Sequence, residues 1–399
     1  MTGTTDGTGE RSVERVAWVS GAYGYNGELV YFQDIFAEFL RRFPNGIIPV
    51  AKDFPVGRYP GLALSPILAF HRLGRTRRNV GDITYIGVRR LPTAATWVRL
   101  IRLRADVFIL IEFSPTSLVG FLIARATRRR IVLLIESDPS YRGAPSGRLS
   151  LAIKKFVAER VDAVLVSNEI GANFVRDTLR VSEAKTVVGP YLTSCPAPLT
   201  EGAPAERPPG VVRILFLNSL TARKGLAELI QALAAVAGAR TRWVLDVVGT
   251  GIELEAIRRQ VDALGLGDNV VFHGRVAYTG IGPFYSSADL VVCPTLADYR
   301  SLGGFEAVNA GKPVLVSCYD GAHQEILRYA PAARLIDPRD TASFTSVLEQ
   351  FILDEPALEA ARRAAGSPPE QFSMTSVGGN LQSAVLLALR TKTLIGAQR

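Results

Sequence analysis

The sequence predicts two doubly wound α/β domains facing each other across a cleft, and three observations predict it. Short runs of β-branched and apolar residues alternate with longer amphipathic stretches along the chain, the pattern of βαβ units and parallel sheets. At mid-chain, residues 193–210 (TSCPAPLTEGAPAERPPG) carry five prolines and almost no periodic apolar pattern, which is linker composition. The length, 399 residues with 48% hydrophobic and 21% charged side chains, suits two large cores.

In chain order, residues 1–13 read as a polar tail without the apolar core of a signal peptide. Residues 14–192 form the first domain. Its strands are expected at 15–20 (RVAWVS), 83–87 (ITYIG), 105–111 (ADVFILI), 131–135 (IVLLI) and 162–167 (DAVLVS), with helices over 27–43 and 97–104. The stretch 105–126 is apolar but broken by Glu112 and Pro115. It falls short of the ~18 uninterrupted residues a membrane span needs, and reads as a strand followed by a helix. After the 193–210 linker, the second domain covers 211–370. Its strands are expected at 213–217, 243–248, 269–272, 288–293 and 313–317, with helices over 224–237, 253–264 and from Gly303. Loops after the carboxyl ends of such strands face the cleft.

Charge is unevenly placed. Residues 1–200 hold 27 Lys and Arg against 17 Asp and Glu, whereas residues 201–399 hold 19 against 20. Arg72, Arg75, Arg77, Arg78, Arg89, Arg90, Arg99, Arg102 and Arg104 are opposed only by Asp82. Such a cluster serves nucleic acid, anionic lipid or a phosphorylated substrate. The interleaved aromatic residues of a single-stranded nucleic-acid platform are missing, so nucleic acid is set aside. Within TWVRLIRLR, Trp97, Leu100 and Ile101 share one helical face, with Arg99 and Arg102 displaced from it. Packing of that face on the sheet is the bland expectation; attraction of the cluster to an anionic membrane is the sharper one. Three cysteines, odd in number and scattered, indicate neither a disulfide framework nor a zinc set and suit a reducing compartment.

Four stretches of the second half carry chemistry. FLNSLTARKG (216–225) leaves a strand and opens a helix at Lys224, where a cation, free N–H groups and a helix dipole can seat a phosphate. DVVGTGIELEA repeats the plan with Gly249 and Gly251 but lacks the third glycine of a dinucleotide fingerprint, which counts against a nicotinamide cofactor. FHGRV (272–276) makes a sharp turn at Gly274, with His273 read as structural because spacing gives it no carboxylate partner. DYRSLGGFE puts Asp298 in a loop and Glu306 eight residues later, across the helix start at Gly303 and Gly304. Two carboxylates flanking an anion-seating helix start repel a bare phosphate. They suit a ligand with phosphate at its centre and hydroxyls at both ends, a nucleoside-diphosphate sugar.

These stretches, with FYSSADLVVCPT, AVNAGKPVLVS and DGAHQEIL, resemble in order and spacing the donor domain of the retaining glycosyltransferases of family 4, which have the GT-B fold. The resemblance spans about 115 residues; the first half matches in outline only. It implies that Lys224 holds the donor diphosphate, that Glu306 binds the ribose, and that the turn with Arg275 and Val276 lines the base. Asp298 stands where the family has a glutamate on the donor sugar, one carbon longer. The helix start at Leu302, Gly303 and Gly304 would complete the donor site. Gly24 and Gly27, in GAYGYNG, resemble the loop that closes over the diphosphate. Ser219 stands where an arginine is usual, so Arg223 would supply the second positive charge. The family's first-domain histidine has no match in LLIESDPSYRG, where Glu136, Asp138 and Arg142 become candidates to face the acceptor. Residues 371–399 resemble the terminal helix that crosses back to the first domain.

The implied activity is transfer of a sugar, with retention, from a nucleoside diphosphate to a hydroxyl of a lipid-linked or glycan acceptor. It would run in the cytoplasm, with a peripheral position on the inner membrane face. No cofactor is implied, and with no Asp-x-Asp in the chain, no metal. Two alternatives stand beside it: a nucleotide-sugar-binding subunit without turnover, and a nucleotide-sugar epimerase on the same fold.

Overall fold

A computed structural model describes residues 15–19, 29, 32–80, 83–142, 147–194, 210–236 and 242–396. The expected tail, Gly24, Gly27 and most of the 193–210 linker lie outside the described residues.

The first half runs β1 (Val16–Val19), α1 (Phe32–Arg42), β2 (Ile48–Ala51), β3 (Leu64–Leu68), β4 (Phe70–Val80), β5 (Ile83–Pro92), α2 (Ala94–Arg102) and β6 (Val107–Ile111). It continues through α3 (Pro115–Ala126), β7 (Arg130–Ile135), α4 (Arg148–Arg160), β8 (Ala163–Val166), α5 (Glu169–Asn173) and β9 (Thr186–Val188). Five strands form a parallel sheet in the order β1-β6-β7-β8-β9. Both faces are covered, which is why its strands read as unbroken apolar runs. One face packs α1 through Phe36 and Phe39, which meet Trp18 edge-on at ring-centroid distances of 5.4 and 5.3 Å. The other packs α2, α3 and α4 through Leu100, Phe121 and Val157.

Two expectations are corrected here. The run ITYIG is no strand of the parallel sheet: β5 pairs antiparallel with β4 in a separate hairpin, Phe70 opposite Pro92 and Val80 opposite Ile83. Only two residues separate β4 from β5, whereas a parallel crossover needs a dozen or more. And Trp97 and Ile101 do not join Leu100 on the sheet. Leu100 is fully buried, but Trp97 is 38% and Ile101 49% exposed.

The second half runs β10 (Val212–Leu217), α6 (Leu226–Ala235), β11 (Trp243–Val248), α7 (Leu254–Ala263), β12 (Val270–Gly274), α8 (Gly282–Ser287), β13 (Leu290–Cys293) and α9 (Gly303–Asn309). Then come β14 (Val314–Ser317), α10 (His323–Tyr329), β15 (Ala333–Ile336), α11 (Thr341–Ile352), α12 (Glu355–Ala365) and α13 (Met374–Gly396). Its six strands are parallel in the order β12-β11-β10-β13-β14-β15. Counting from β10 this is 3-2-1-4-5-6, the doubly wound order whose direction reverses between its first and fourth strands. The crevice at that reversal, past the ends of β10 and β13, is where such a sheet takes a ligand. Helix α13 returns to the first half: Val377, Leu381 and Val385 are buried in the same cluster as Trp18 and Phe36. Each contributes about 1.5–3 kcal/mol to holding the halves together.

Candidate active site

At the reversal, the loops after β10 and β13 are locked to one another by backbone. Gly225 has φ +72°, and a Cβ there would fall 1.8 Å from the Pro294 carbonyl oxygen, so only glycine fits. The Arg223 carbonyl accepts from Leu296 N and Thr295 Oγ1, each at 2.8 Å. This brings two cations onto one carboxylate. Lys224 Nζ lies 2.6 Å and Arg223 Nη1 2.8 Å from Asp298 Oδ2. Burial alone would raise the Asp298 carboxyl; Lys224 and Arg223 outweigh it and hold it well below the usual carboxylate range. The loop acid is therefore matched by two positive charges, and the expected repulsion of a phosphate is revised accordingly.

Behind Asp298 sits Asp320, fully buried, which accepts from the Ser301 hydroxyl and from the N–H groups of Ser301 (3.1 Å) and Ala322 (2.9 Å). Burial and then the charge of Asp298 push its carboxyl up to about 6. Glu306, in the first turn of α9, accepts from Ser194 Oγ at 2.7 Å and Tyr285 OH at 2.5 Å, and burial raises it. Between Asp298 and Glu306, the next two residues reach across to the first half. Tyr299 OH donates to Glu112 Oε1 at 2.9 Å. Arg300 makes two 2.9 Å bonds to Glu325 and donates to the Leu192 carbonyl at 2.8 Å, with no side-chain exposure.

One cavity of about 460 Å³ gathers several of these groups. Lys224, Asp298, Leu302, Gly303 and Glu306 line it on the second half, with Arg275 and Val276 from the turn after β12. Glu136 lines it from the first half. Asn218, Tyr278, Tyr299 and Arg300 line it too, and sequence reasoning missed them. Tyr299 and Arg300 lay inside a motif read for its acids and glycines. Tyr278 had no signal beyond closeness to Val276.

Other candidates fall outside the cavity lining. Arg223 touches it only through Asp298, and Ser219 is exposed on the loop after β10. Gly249 and Gly251 serve packing instead: a Cβ on either would come within 2.0 Å of the Asn218 or Leu220 carbonyl oxygen. Gly304 is small because Ile326 of α10 presses on it, 2.5 Å from where a Cβ would be. Asp138 bonds the Ser140 N–H at 2.8 Å, and the side chain of Arg142 lies outside the described residues. His273 does have a carboxylate partner, supplied from a neighbouring strand: its Nε2 lies 2.7 Å from Asp246 Oδ1, which also binds Arg213.

Residues 203–367 match the family model described as glycosyl transferases group 1. The chain is 29% identical over 183 residues to the lipopolysaccharide core biosynthesis glycosyltransferase LpsD of Rhizobium meliloti, covering 45% of this chain and 50% of that protein. It thus spans about half the length of that relative. Among solved structures, HepE of Anabaena, crystallised with UDP, superposes with a TM-score of 0.67 at 17% identity over 93% of this chain and 98% of its own. WaaG, a glycosyltransferase involved in lipopolysaccharide biosynthesis, gives 0.61 at 15% identity over 94% and 99%. These likenesses establish the two-domain GT-B fold. Strand order and crevice agree with the family match: residues 203–367 resemble a glycosyl transferase group 1 domain.

Proposed function

We propose that this chain transfers a sugar from a nucleoside diphosphate to an acceptor hydroxyl, with retention at the anomeric carbon. The observation that carries the reading is the meeting of Lys224, Asp298, the α9 start and Glu306 in one cavity at the sheet reversal, with Glu136 opposite. The UDP named with HepE supports a nucleotide ligand for this fold. The diphosphate lies beside Lys224 and the N–H groups at Gly303, the ribose at Glu306 and the base at Arg275 and Val276. As the bond from the anomeric carbon to the phosphate oxygen breaks, Lys224 takes up the charge growing on the leaving group. Asp298, ionised, faces the positive charge developing on the sugar ring. The acceptor oxygen bonds to the anomeric carbon and its proton passes to the departing phosphate, so no separate base and no metal are used.

The acceptor is lipid-linked, and the first half carries the enzyme to the membrane. Helices α2, α3 and α4 cover one face of the first sheet and bear seven Arg or Lys against one acid, Glu159. Large apolar side chains stand out among them: Trp97, Val98, Ile101, Leu122, Leu149, Ile153 and Phe156 are 38–76% exposed. Apolar contact combined with positive charge suits an anionic bilayer surface. No helix among the described residues is long and apolar enough to cross a membrane.

The deciding assay incubates the full chain with UDP-, GDP- and dTDP-sugars, with and without a membrane extract as acceptor. NMR of the product reads the anomeric configuration. Acceptor-dependent release of nucleoside diphosphate and a retained configuration are expected. Donor isomerisation without acceptor would establish the epimerase instead, and binding without turnover the inactive subunit.

A further inference from the structure

A second cavity, of about 330 Å³, opens between the two halves away from the donor cavity. Its first-half wall is the turn after β8, with Ser167 and Glu169; its second-half wall is α10, with Gln324 and Arg328; Gln371 and Asn380 complete it near and along α13. Ser167 is 2% exposed, and its hydroxyl has no hydrogen-bond partner among the described residues. A hydroxyl left so costs about 1–3 kcal/mol. The amides of Gln324 and Gln371 stand exposed at the cavity walls. Arg328 lies over the Tyr329 ring, 5.5 Å from its centroid, and forms no ion pair among the described residues.

The chemistry of these walls selects a ligand class. Amides and hydroxyls both donate and accept, and so do sugar hydroxyls. The crevice is lined by one guanidinium, Arg328, and by the carboxylate of Glu169 from the other half, and Glu325 in the same wall is already neutralised by Arg300. That charge balance leaves a phosphate poorly matched. Ile170, Val188, Pro190 and Tyr329 supply apolar wall between the polar groups, which suits a sugar with its apolar ring faces and polar rim of hydroxyls. We infer that this crevice is a binding site for a neutral mono- or disaccharide, separate from the donor cavity. Because both halves wall it, an occupant stabilises their present arrangement. The buried Arg300–Glu325 pair is the partition: Arg300 lines the donor cavity and Glu325 the crevice.

Saturation-transfer NMR on the full chain tests the inference without requiring turnover. The probes are glucose, galactose, mannose, maltose and lactose at about 10 mM, tenfold above a ~1 mM dissociation constant. At least one should receive saturation from the wild type and from Lys224→Ala. The signal should fall several-fold in Gln324→Ala/Gln371→Ala, and the bound sugar should raise the wild-type melting temperature. Transfer to none of the five would overturn the site. So would a signal lost in Lys224→Ala but kept in the glutamine variant, which would place the sugar in the donor cavity. A signal unchanged in every variant would likewise count against it, as non-specific contact.

Discussion

The two parallel sheets are built alike, but their outer chemistry differs in kind. On the second sheet, charge is buried and paired. Asp298 holds two cations, Asp320 lies behind it, and Arg300 with Glu325 is sealed from solvent. On the helix-covered face of the first sheet formed by α2, α3 and α4, seven basic residues are set against one acid, Glu159, among apolar side chains that stand exposed. Buried pairs fix position, because a charge taken from water must be held by a partner at bonding distance. Exposed charge of one sign fixes nothing locally and acts at range on a large surface. One half is thus shaped for a small ligand held in one pose, the other for a broad surface.

The hardest blow to that contrast is Arg300→Ala. It strands Glu325 in a site with 4% side-chain exposure and removes the bond to Leu192. Loss of about 3–5 kcal/mol is expected, read as a lower midpoint in urea unfolding. A change below about 1 kcal/mol would mean that the pair is not buried in solution. Next comes Lys224→Ala. A charge-assisted contact to phosphate is worth ~1.5–3 kcal/mol, so kcat/KM should fall at least about tenfold. Asp298 keeps Arg223, which should preserve the fold and a near-normal melting temperature.

Asp320 sharpens the contrast through pH. Its folded carboxyl, pushed up to about 6, takes a proton more readily than in the unfolded chain, near 3.9. Between those values the folded state binds more protons, so this group adds stability as pH falls from about 7 towards 4. Asp298 behaves oppositely. Depressed when folded, its contribution is complete above about 3.9 and is lost only as pH falls through its lower folded value. Asp320→Asn should therefore flatten the stability profile between pH 4 and 7. An unaltered slope would assign it to other groups.

How much of this could be read from the sequence follows from the same difference. The second half was legible because each strand ends in a loop whose glycines and charges sit at fixed spacing. Seven of its predicted residues, from Lys224 to Glu306, meet in one cavity. Gly249 and Gly251 look alike in sequence whether they admit a ligand or a neighbouring carbonyl, and only the packing of the Asn218–Leu220 loop distinguishes the two. Contacts across the halves, such as Tyr299 to Glu112 over 187 residues, leave no local trace. In the first half, period alone could not orient α2. Trp97, Leu100 and Ile101 share a face on the helical wheel, yet the sheet covers only Leu100. The stripe Leu149, Ile153 and Phe156 at helical spacing would ordinarily be taken for core, and here it faces outward.

That stripe is where the smallest expected effect can be measured one residue at a time. Leu149 and Ile153, on the turns that carry Lys154 and Lys155, are 76% and 41% exposed, so substitution there costs the fold little. Each basic residue near an anionic surface contributes about 1 kcal/mol, and each apolar side chain immersed in the interface adds in proportion to its area. Co-sedimentation should show the full chain on vesicles containing anionic lipid and not on neutral ones, weakening as salt shortens the Debye length. Lys154→Glu/Lys155→Glu should reduce binding by more than tenfold at low salt. Leu149→Ser/Ile153→Ser should reduce it less, and by an amount nearly independent of salt, since area rather than charge is lost. The two variants therefore separate the charged from the apolar part of the surface. Equal recovery of wild type with both lipid types would remove the membrane from the account of the first half. The exposed stripe would then call for a protein partner, and the acceptor would be a soluble glycan.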